Sequence, residues 1–394
     1  MRIFSFALRI IKKPFVFLYN FRKYKLPLSK TIVLECESDM DDNPRAFYEY
    51  LLSKKYNWFH RIVWIVKDVE FCRNNYKRFN VRFYNRYSND KKEKRKLDYY
   101  YNTAKYFIFS HPYWFFKKRE NQIVIHIGHG TPIKNTPGTF NDKCIDWMPV
   151  PSQDVLNWYT EFWSCDPNKT FICGIPRNDF LVFDQNTKNE IFKKLNIPSD
   201  EKMIICMPTF KQSKNMHDSD ISDEYVLSVV EDEPQFRQLN NMLRANKIHI
   251  IVKPHPLQNT ENLRTLKASN IHYINNEFLF KNKIILYKLV SCSDALLTDF
   301  SSICFDYTLL NKPIGFFLNN FNNYTRGYLY DNPLDYMPGN KIYTYNDLSD
   351  FVYDIVNKDD KYNVKRNEIK TFANNINNDG ISNCQLLAEW MFKL

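Results

Sequence analysis

Thr298-Asp299-Phe300-Ser301-Ser302-Ile303-Cys304-Phe305-Asp306-Tyr307 follows the apolar run Ala295-Leu296-Leu297 and reads as a strand that ends in a polar turn and opens directly into a helix. A chain that repeats this alternation builds parallel sheets, so the stretch speaks for an α/β fold. Asp299 is placed to cap, and Ser301 and Ser302 stand where the first helical N–H groups lack intrahelical partners. Those N–H groups and the positive end of the helix dipole favour an anion, and the two hydroxyls add donors without bulk. Asp306 falls one turn deeper on the same face, where a carboxylate is able to accept hydrogen bonds from sugar hydroxyls. Taken alone, the pattern also fits an ordinary capped helix.

Two histidine motifs argue for more. Lys253-Pro254-His255-Pro256 follows His249-Ile250-Ile251-Val252, a β-branched run suited to a buried parallel strand. Proline on both sides of His255 ends the strand and holds an imidazole and an ammonium at the carboxyl edge of a sheet, where ligands of open α/β folds bind. His126-Ile127-Gly128-His129-Gly130-Thr131-Pro132-Ile133-Lys134 follows the strand-like Gln122-Ile123-Val124-Ile125, and its glycines allow close backbone approach to a ligand.

Working outward, candidate strands are Thr31–Glu35, Arg61–Val66, Val81–Tyr84, Tyr106–Phe109, Ile123–Ile127 and Thr170–Cys173 in the first half. Those of the second half are Met203–Met207, His249–Val252, Ile271–Ile274, Ala295–Thr298 and Ile314–Phe317. Helical stretches are Asn43–Lys54, Gln153–Phe162, Glu233–Asn246, Leu279–Ser293, Ser302–Asn311, Tyr345–Lys358 and Val364–Phe392. Asp184–Asp200 reads as a helix flanked by linker, and Lys211–Glu224 as a mobile loop over the site. With 394 residues the chain exceeds what one core organises. The expected division is a basic amphipathic segment at 1–26, an acceptor-side Rossmann-like domain at 27–185, a nucleotide-donor domain at 186–375, and a C-terminal helix at 376–394 that packs back on the junction.

Composition narrows the classes. Nine cysteines without paired short spacing read as reduced thiols of a cytosolic protein, and no Cys/His spacing suggests a metal. The formal charge of +11 calls for an acidic partner. In 1–26, Phe4, Leu8, Ile11, Phe15 and Leu18 recur at helical spacing among seven Lys and Arg residues, which suits an anionic membrane surface. No nucleic-acid reader motif is present in the sequence.

Taken in order, Gly128-His129-Gly130-Thr131-Pro132-Ile133-Lys134, Gly174-Ile175-Pro176-Arg177-Asn178-Asp179, Pro208-Thr209-Phe210, Lys253-Pro254-His255 and the stretch from Thr298 to Tyr307 resemble the motifs of the CDP-glycerol glycerophosphotransferases, the primases and polymerases of teichoic acid synthesis. The resemblance implies a GT-B-like α/β fold, two doubly wound Rossmann-like domains facing across a cleft. It also implies transfer of a polyol phosphate from CDP-glycerol to a polyprenyl-linked acceptor at the cytoplasmic face of the membrane, without a cofactor. By the same resemblance His129 is the general base, and His255 with Lys253 and Pro254 meets the diphosphate. Gly130, Thr131, Pro132, Ile133, Arg177, Pro208, Thr209, Ser301, Ser302 and Asp306 surround the donor. Gly128 stands where many relatives carry tryptophan, and the segment after Phe210 lacks an expected arginine.

Several alternatives stay open at this level: a ribitol phosphate donor, a capsular rather than a wall polymer, primase or polymerase action, a nucleotide-sugar transferase on the same fold, and a basic membrane scaffold. His126-Ile127-Gly128-His129 also spells the signature of class I synthetases and cytidylyltransferases, but Gly130, Pro132 and Pro137 oppose the continuous helix that signature requires. Oligomeric state has no trace in the sequence.

Overall fold

A computed structural model describes residues 26–111, 118–133, 144–182, 187–209, 227–255, 267–319, 321, 327–375 and 380–393. The expected amphipathic segment up to residue 25, Lys134 and the expected loop Lys211–Glu224 lie outside the described residues. Packing divides the chain into two compact units, one running to Gly128 and including 144–148, the other comprising 129–133 and the described chain from 149 onward. Residues 149–182 therefore pack with the second unit rather than with the first, where the expected boundary near 185 puts them.

In the first unit β1 (Ser29–Glu35), β2 (Arg61–Ile65), β3 (Val81–Tyr84), β4 (Ala104–Phe109) and β5 (Ile123–His126) form a parallel sheet in the order β3-β2-β1-β4-β5. Helices α1 (Asp42–Ser53), α2 (Val69–Asn75) and α3 (Lys91–Thr103) make the crossovers. Ile32 to Leu34 and Ile62 to Ile65 are buried throughout, as strands covered on both faces must be. Leu97 and Tyr100 of α3 pack on Val33, Val63 and Phe107. This helix is otherwise so rich in Lys, Arg and Tyr that its period does not stand out in the sequence.

The second unit holds a six-stranded parallel sheet. Its strands are β8 (Lys202–Cys206), β9 (Ile248–Val252), β10 (Ile271–Tyr273), β11 (Ala295–Thr298), β12 (Ile314–Phe317) and β13 (Asn340–Ile342), in the order β10-β9-β8-β11-β12-β13. Before it come the short β6 (Met148–Val150) and β7 (Thr170–Ile172), which make a separate two-stranded sheet; the expected strand Thr170–Cys173 therefore does not extend the first sheet. The helices are α4 (Gln153–Trp163), α5 (Asp179–Val182), α6 (Lys188–Leu195), α7 (Glu233–Ala245), α8 (Asn276–Lys281), α9 (Leu286–Ser291), α10 (Ile303–Tyr307), α11 (Tyr345–Asn357), α12 (Asn363–Ala373) and α13 (Asn383–Met391). Phe236, Leu239 and Leu243 of α7 and Leu348, Phe351 and Val352 of α11 cover Ile204, Ile250 and Leu297 of the sheet.

Three expected helices are shorter than read. Leu279–Ser293 is two helices, because Lys283 takes a left-handed φ of 55° between them. Ser302–Asn311 is the five-residue α10 followed by a 3-10 turn, Thr308–Leu310, which Asn311 ends at φ 49°. Val364–Phe392 is α12 and α13. The latter docks where Asn383 and Cys384 donate their N–H groups to the Asp179 carboxylate, at 2.8 Å each, and Trp390 stacks on Phe171. Among the described residues no helix is long and apolar enough to cross a membrane.

Candidate active site

The carboxyl ends of β9, β8 and β11 are neighbours, so the segments leaving them meet at one edge of the second sheet. From β9 come Lys253, buried, then Pro254 and the half-buried His255. From β8 come Pro208 and Thr209, and from β11 Asp299, Ser301 and Ser302. Strands lie about 4.8 Å apart, so β9 and β11 stand about 10 Å from each other across β8. Asp299 does not cap α10. Its buried carboxylate accepts from Thr209 N at 2.8 and 3.0 Å and from Thr209 Oγ1 at 2.9 Å, while Thr298 Oγ1 donates to Met207 O at 2.8 Å. The turn after β8 is therefore fixed by the turn after β11.

Residues 129–133 follow the first sheet's last strand in sequence, yet they belong to the second unit. The reason is visible one residue at a time. Arg177 Nη2 donates to the His129 carbonyl, and Tyr159 Oη donates to Gly130 O at 3.1 Å. Thr131 Oγ1 donates to Ala373 O at 3.1 Å, Tyr330 Oη to Pro132 O at 2.9 Å, and Leu329 N to Ile133 O at 3.0 Å. Gly130 has φ +121°, and a Cβ there would lie 2.7 Å from Arg177 Nη2, 3.6 Å from Ser302 Oγ and 3.8 Å from Asp306 Oδ2. Only a glycine lets this loop pass so close to the guanidinium. Burial of Tyr159 pushes its phenol well above the usual range, so it stays a donor to the loop.

Asp306 holds Arg177. Fully buried on α10, its carboxylate accepts from Arg177 Nη2 at 2.9 Å, from Asn178 Nδ2 at 3.1 Å and from Tyr287 Oη. Asn178 Nδ2 also donates to Asn374 Oδ1 at 3.0 Å, and the Arg177 guanidinium lies over the Tyr287 ring, 4.6 Å from its centroid. These protein donors occupy Asp306, which the sequence reading had placed beneath sugar hydroxyls.

His129, Gly130, Arg177, Ser302 and Asp306 thus form one connected assembly, with Thr131, Pro132 and Ile133 in the same loop. Pro208, Thr209, Lys253, Pro254, His255 and Ser301 occupy the adjoining strand ends. Sequence reasoning missed Tyr159, Asn178, Tyr287, Tyr330 and Asn374. Asn178 lay inside a motif already singled out, but a tyrosine in an aromatic-rich chain looks like core until its hydroxyl finds a carbonyl. The synthetase signature fails structurally. His126 is a buried strand residue whose Nδ1 accepts from Gly128 N at 3.3 Å, and Gly128 at φ +60° and Gly130 at φ +121° prevent a helix from opening after it. Among the described residues no group of three or more His, Cys, Asp or Glu side chains is arranged to hold a metal ion.

The profile of the CDP-glycerol:poly(glycerophosphate) glycerophosphotransferase family matches residues 18–384. A teichoic acid poly(glycerol phosphate) polymerase of Staphylococcus epidermidis is 28% identical over 351 residues, spanning 80% of this chain and 44% of the relative. One of Bacillus spizizenii is 29% identical over 334 residues, 77% of this chain and 78% of the relative. The poly(ribitol-phosphate) polymerase of the same species is 28% identical over 243 residues, 60% of this chain and 36% of the relative. Among solved structures, the wall teichoic acid polymerase TagF in a variant soaked with CDPG has a TM-score of 0.74 at 22% identity, covering 99% of this chain and 97% of that one. A likeness of this extent shows the fold, which is GT-B-like α/β.

Proposed function

Because the chain belongs to the CDP-glycerol:poly(glycerophosphate) glycerophosphotransferase family, we propose that it transfers glycerol phosphate from CDP-glycerol to a lipid-linked or growing polymer acceptor in teichoic acid synthesis. The acceptor oxygen forms a bond to the distal phosphorus, the bond from that phosphorus to the bridging oxygen breaks, and CMP leaves. His129 takes the hydroxyl proton, a role in which a positioned imidazole is the commonest protein base. Lys253 and His255 offset the charge that grows on the departing phosphate. Ser301, Ser302, Pro208, Thr209 and the loop Gly130–Ile133 line the donor, and Arg177, anchored by Asp306, sets its positive charge against the phosphate oxygens.

The observation that carries this reading is the strapping of His129 into the unit whose strand ends bear Lys253, His255 and the serines. The acceptor's lipid anchor places the enzyme at the cytoplasmic face of an anionic membrane. CMP release by the purified protein, given CDP-glycerol and a lipid-linked acceptor analogue, is the direct test. His129→Ala and His255→Ala are each expected to lower turnover by about 10²–10⁴-fold without unfolding the chain; wild-type rates in either variant refute the assigned role. CDP-ribitol in the same assay tests the second reading, which the similarity to a ribitol-phosphate polymerase favours.

A further inference from the structure

The loops entering β2 and β3 lie side by side at the amino-terminal edge of the first sheet, since those strands pair and Ile62 N donates to Asn80 O at 3.0 Å. Asn57 Nδ2 fastens one loop to the other by donating to Phe79 O at 2.9 Å. On this frame Trp58, Phe59 and Phe79 are 64%, 75% and 63% exposed, and the rings of Trp58 and Phe79 rest against each other with centroids 5.2 Å apart. Three large aromatic side chains gathered in water mark an interaction surface rather than ordinary scatter. Lys54, Lys55, Lys77 and Arg78, all exposed, stand in the same two loops. Neither 50–67 nor 71–89 contains an Asp or Glu.

We propose that this edge docks the protein on an anionic lipid surface, with the three rings entering the interfacial layer and the four cations facing lipid phosphates. Indole and phenyl rings prefer the zone between headgroup and acyl chain, and each basic residue beside them gains from the surface potential. Two loops that carry basic and no acidic residues suit a uniformly negative plane better than a protein partner of mixed charge. Trp58 and Phe79 pack into a wedge instead of spreading along a groove, unlike the stacking platforms that bind single strands. The patch names the surface behind the membrane location proposed above. Its evidence is independent of the transfer chemistry, which involves residues of the other unit.

The test is co-sedimentation of the full chain, with neither donor nor acceptor present, with vesicles of phosphatidylcholine alone or mixed with phosphatidylglycerol. Two variants are compared with wild type: Trp58→Ser/Phe59→Ser/Phe79→Ser and Lys54→Glu/Lys55→Glu/Lys77→Glu/Arg78→Glu. Both keep residues 1–26, so any loss is assigned to the patch. Wild type is expected to favour the anionic vesicles, and each variant to bind them at least roughly tenfold more weakly with an unchanged thermal midpoint. Phe59→Ser alone, at the most exposed ring, serves if the triple variant unfolds, with a loss of about threefold. Variants that bind like wild type, a wild type that ignores anionic vesicles, or a loss seen only with a single-stranded oligonucleotide each overturn the proposal. Because CMP release from a soluble acceptor analogue is measured separately, an inactive but vesicle-binding protein sinks the transfer reading and leaves the patch standing.

Discussion

Asp306 in the second unit and Glu35 in the first are both buried carboxyl groups beside an arginine, and they meet burial in opposite ways. Asp306 collects Arg177, Asn178 and Tyr287, three protein donors around one carboxylate. Glu35, at the carboxyl end of β1, has Arg86 Nη1 at 2.7 Å, yet burial outweighs that attraction and pushes its pKa up to about 8. A buried charge is tolerated where donors surround it; where they are few, the group keeps its proton instead. The second unit invests its donors at the edge that carries His129, and the first unit leaves a titratable group at its own edge.

The harshest way to break this contrast is Asp306→Ala. Removing the carboxylate leaves the Arg177 guanidinium buried without its counter-charge, a change that costs about 3–5 kcal/mol. Urea unfolding should show that loss, and turnover should fall even where the protein remains folded, because the His129 carbonyl loses its tethered donor. A stability change below about 1 kcal/mol would mean that the donors around Asp306 are ornamental.

A pair of glycines sharpens the point at smaller scale. Gly128 has φ +60° with nothing within 4 Å of an added Cβ, while at Gly130 that atom would lie 2.7 Å from Arg177 Nη2. Gly128→Ala should cost only the backbone strain of about 1–2 kcal/mol. Gly130→Ala carries at least that strain, because φ +121° lies outside the left-handed basin open to alanine, and must also move the guanidinium, so it should lose about 1 kcal/mol more and a larger share of kcat. Equal unfolding free energies and equal kcat for the two variants would show that Arg177 does not depend on the close approach of the loop.

Much of this was legible in the sequence, for identifiable reasons. Parallel strands such as Ile248–Val252 announce themselves as β-branched runs, and the prolines around His255 mark where a strand ends. The motif residues from His129 to Ile133 stood out through glycine and proline. What stayed hidden depends on long-range pairing. Nothing local says that Asp299 turns back to Thr209, 90 residues away, instead of capping α10. Nor does the sequence show that the loop after β5 is claimed by Tyr159, Tyr330 and Ala373, which arrive much later in the chain. The strand Asn340–Ile342 escaped because three residues of mixed character carry no period, and its place is set by pairing with β12.

The gentlest probe of the contrast is Glu35→Gln read against pH. The folded protein holds the Glu35 proton up to about 8, while the unfolded chain releases it near the ordinary 4.5. Between those values the native state binds more protons than the unfolded one, so wild-type stability falls as pH rises across the window and levels off above it. Glutamine has no proton to lose and keeps nearly the same shape beside Arg86. Over one unit, from about pH 6 to pH 7, wild type should lose at most about 1.4 kcal/mol relative to the variant. Asp306→Asn offers the control from the other unit, since it removes a charge that donors already compensate and should destabilise at both pH values. If Glu35→Gln and wild type keep a constant difference from pH 5 to pH 9, Glu35 is ionised throughout, and Arg86 alone outweighs the cost of its burial.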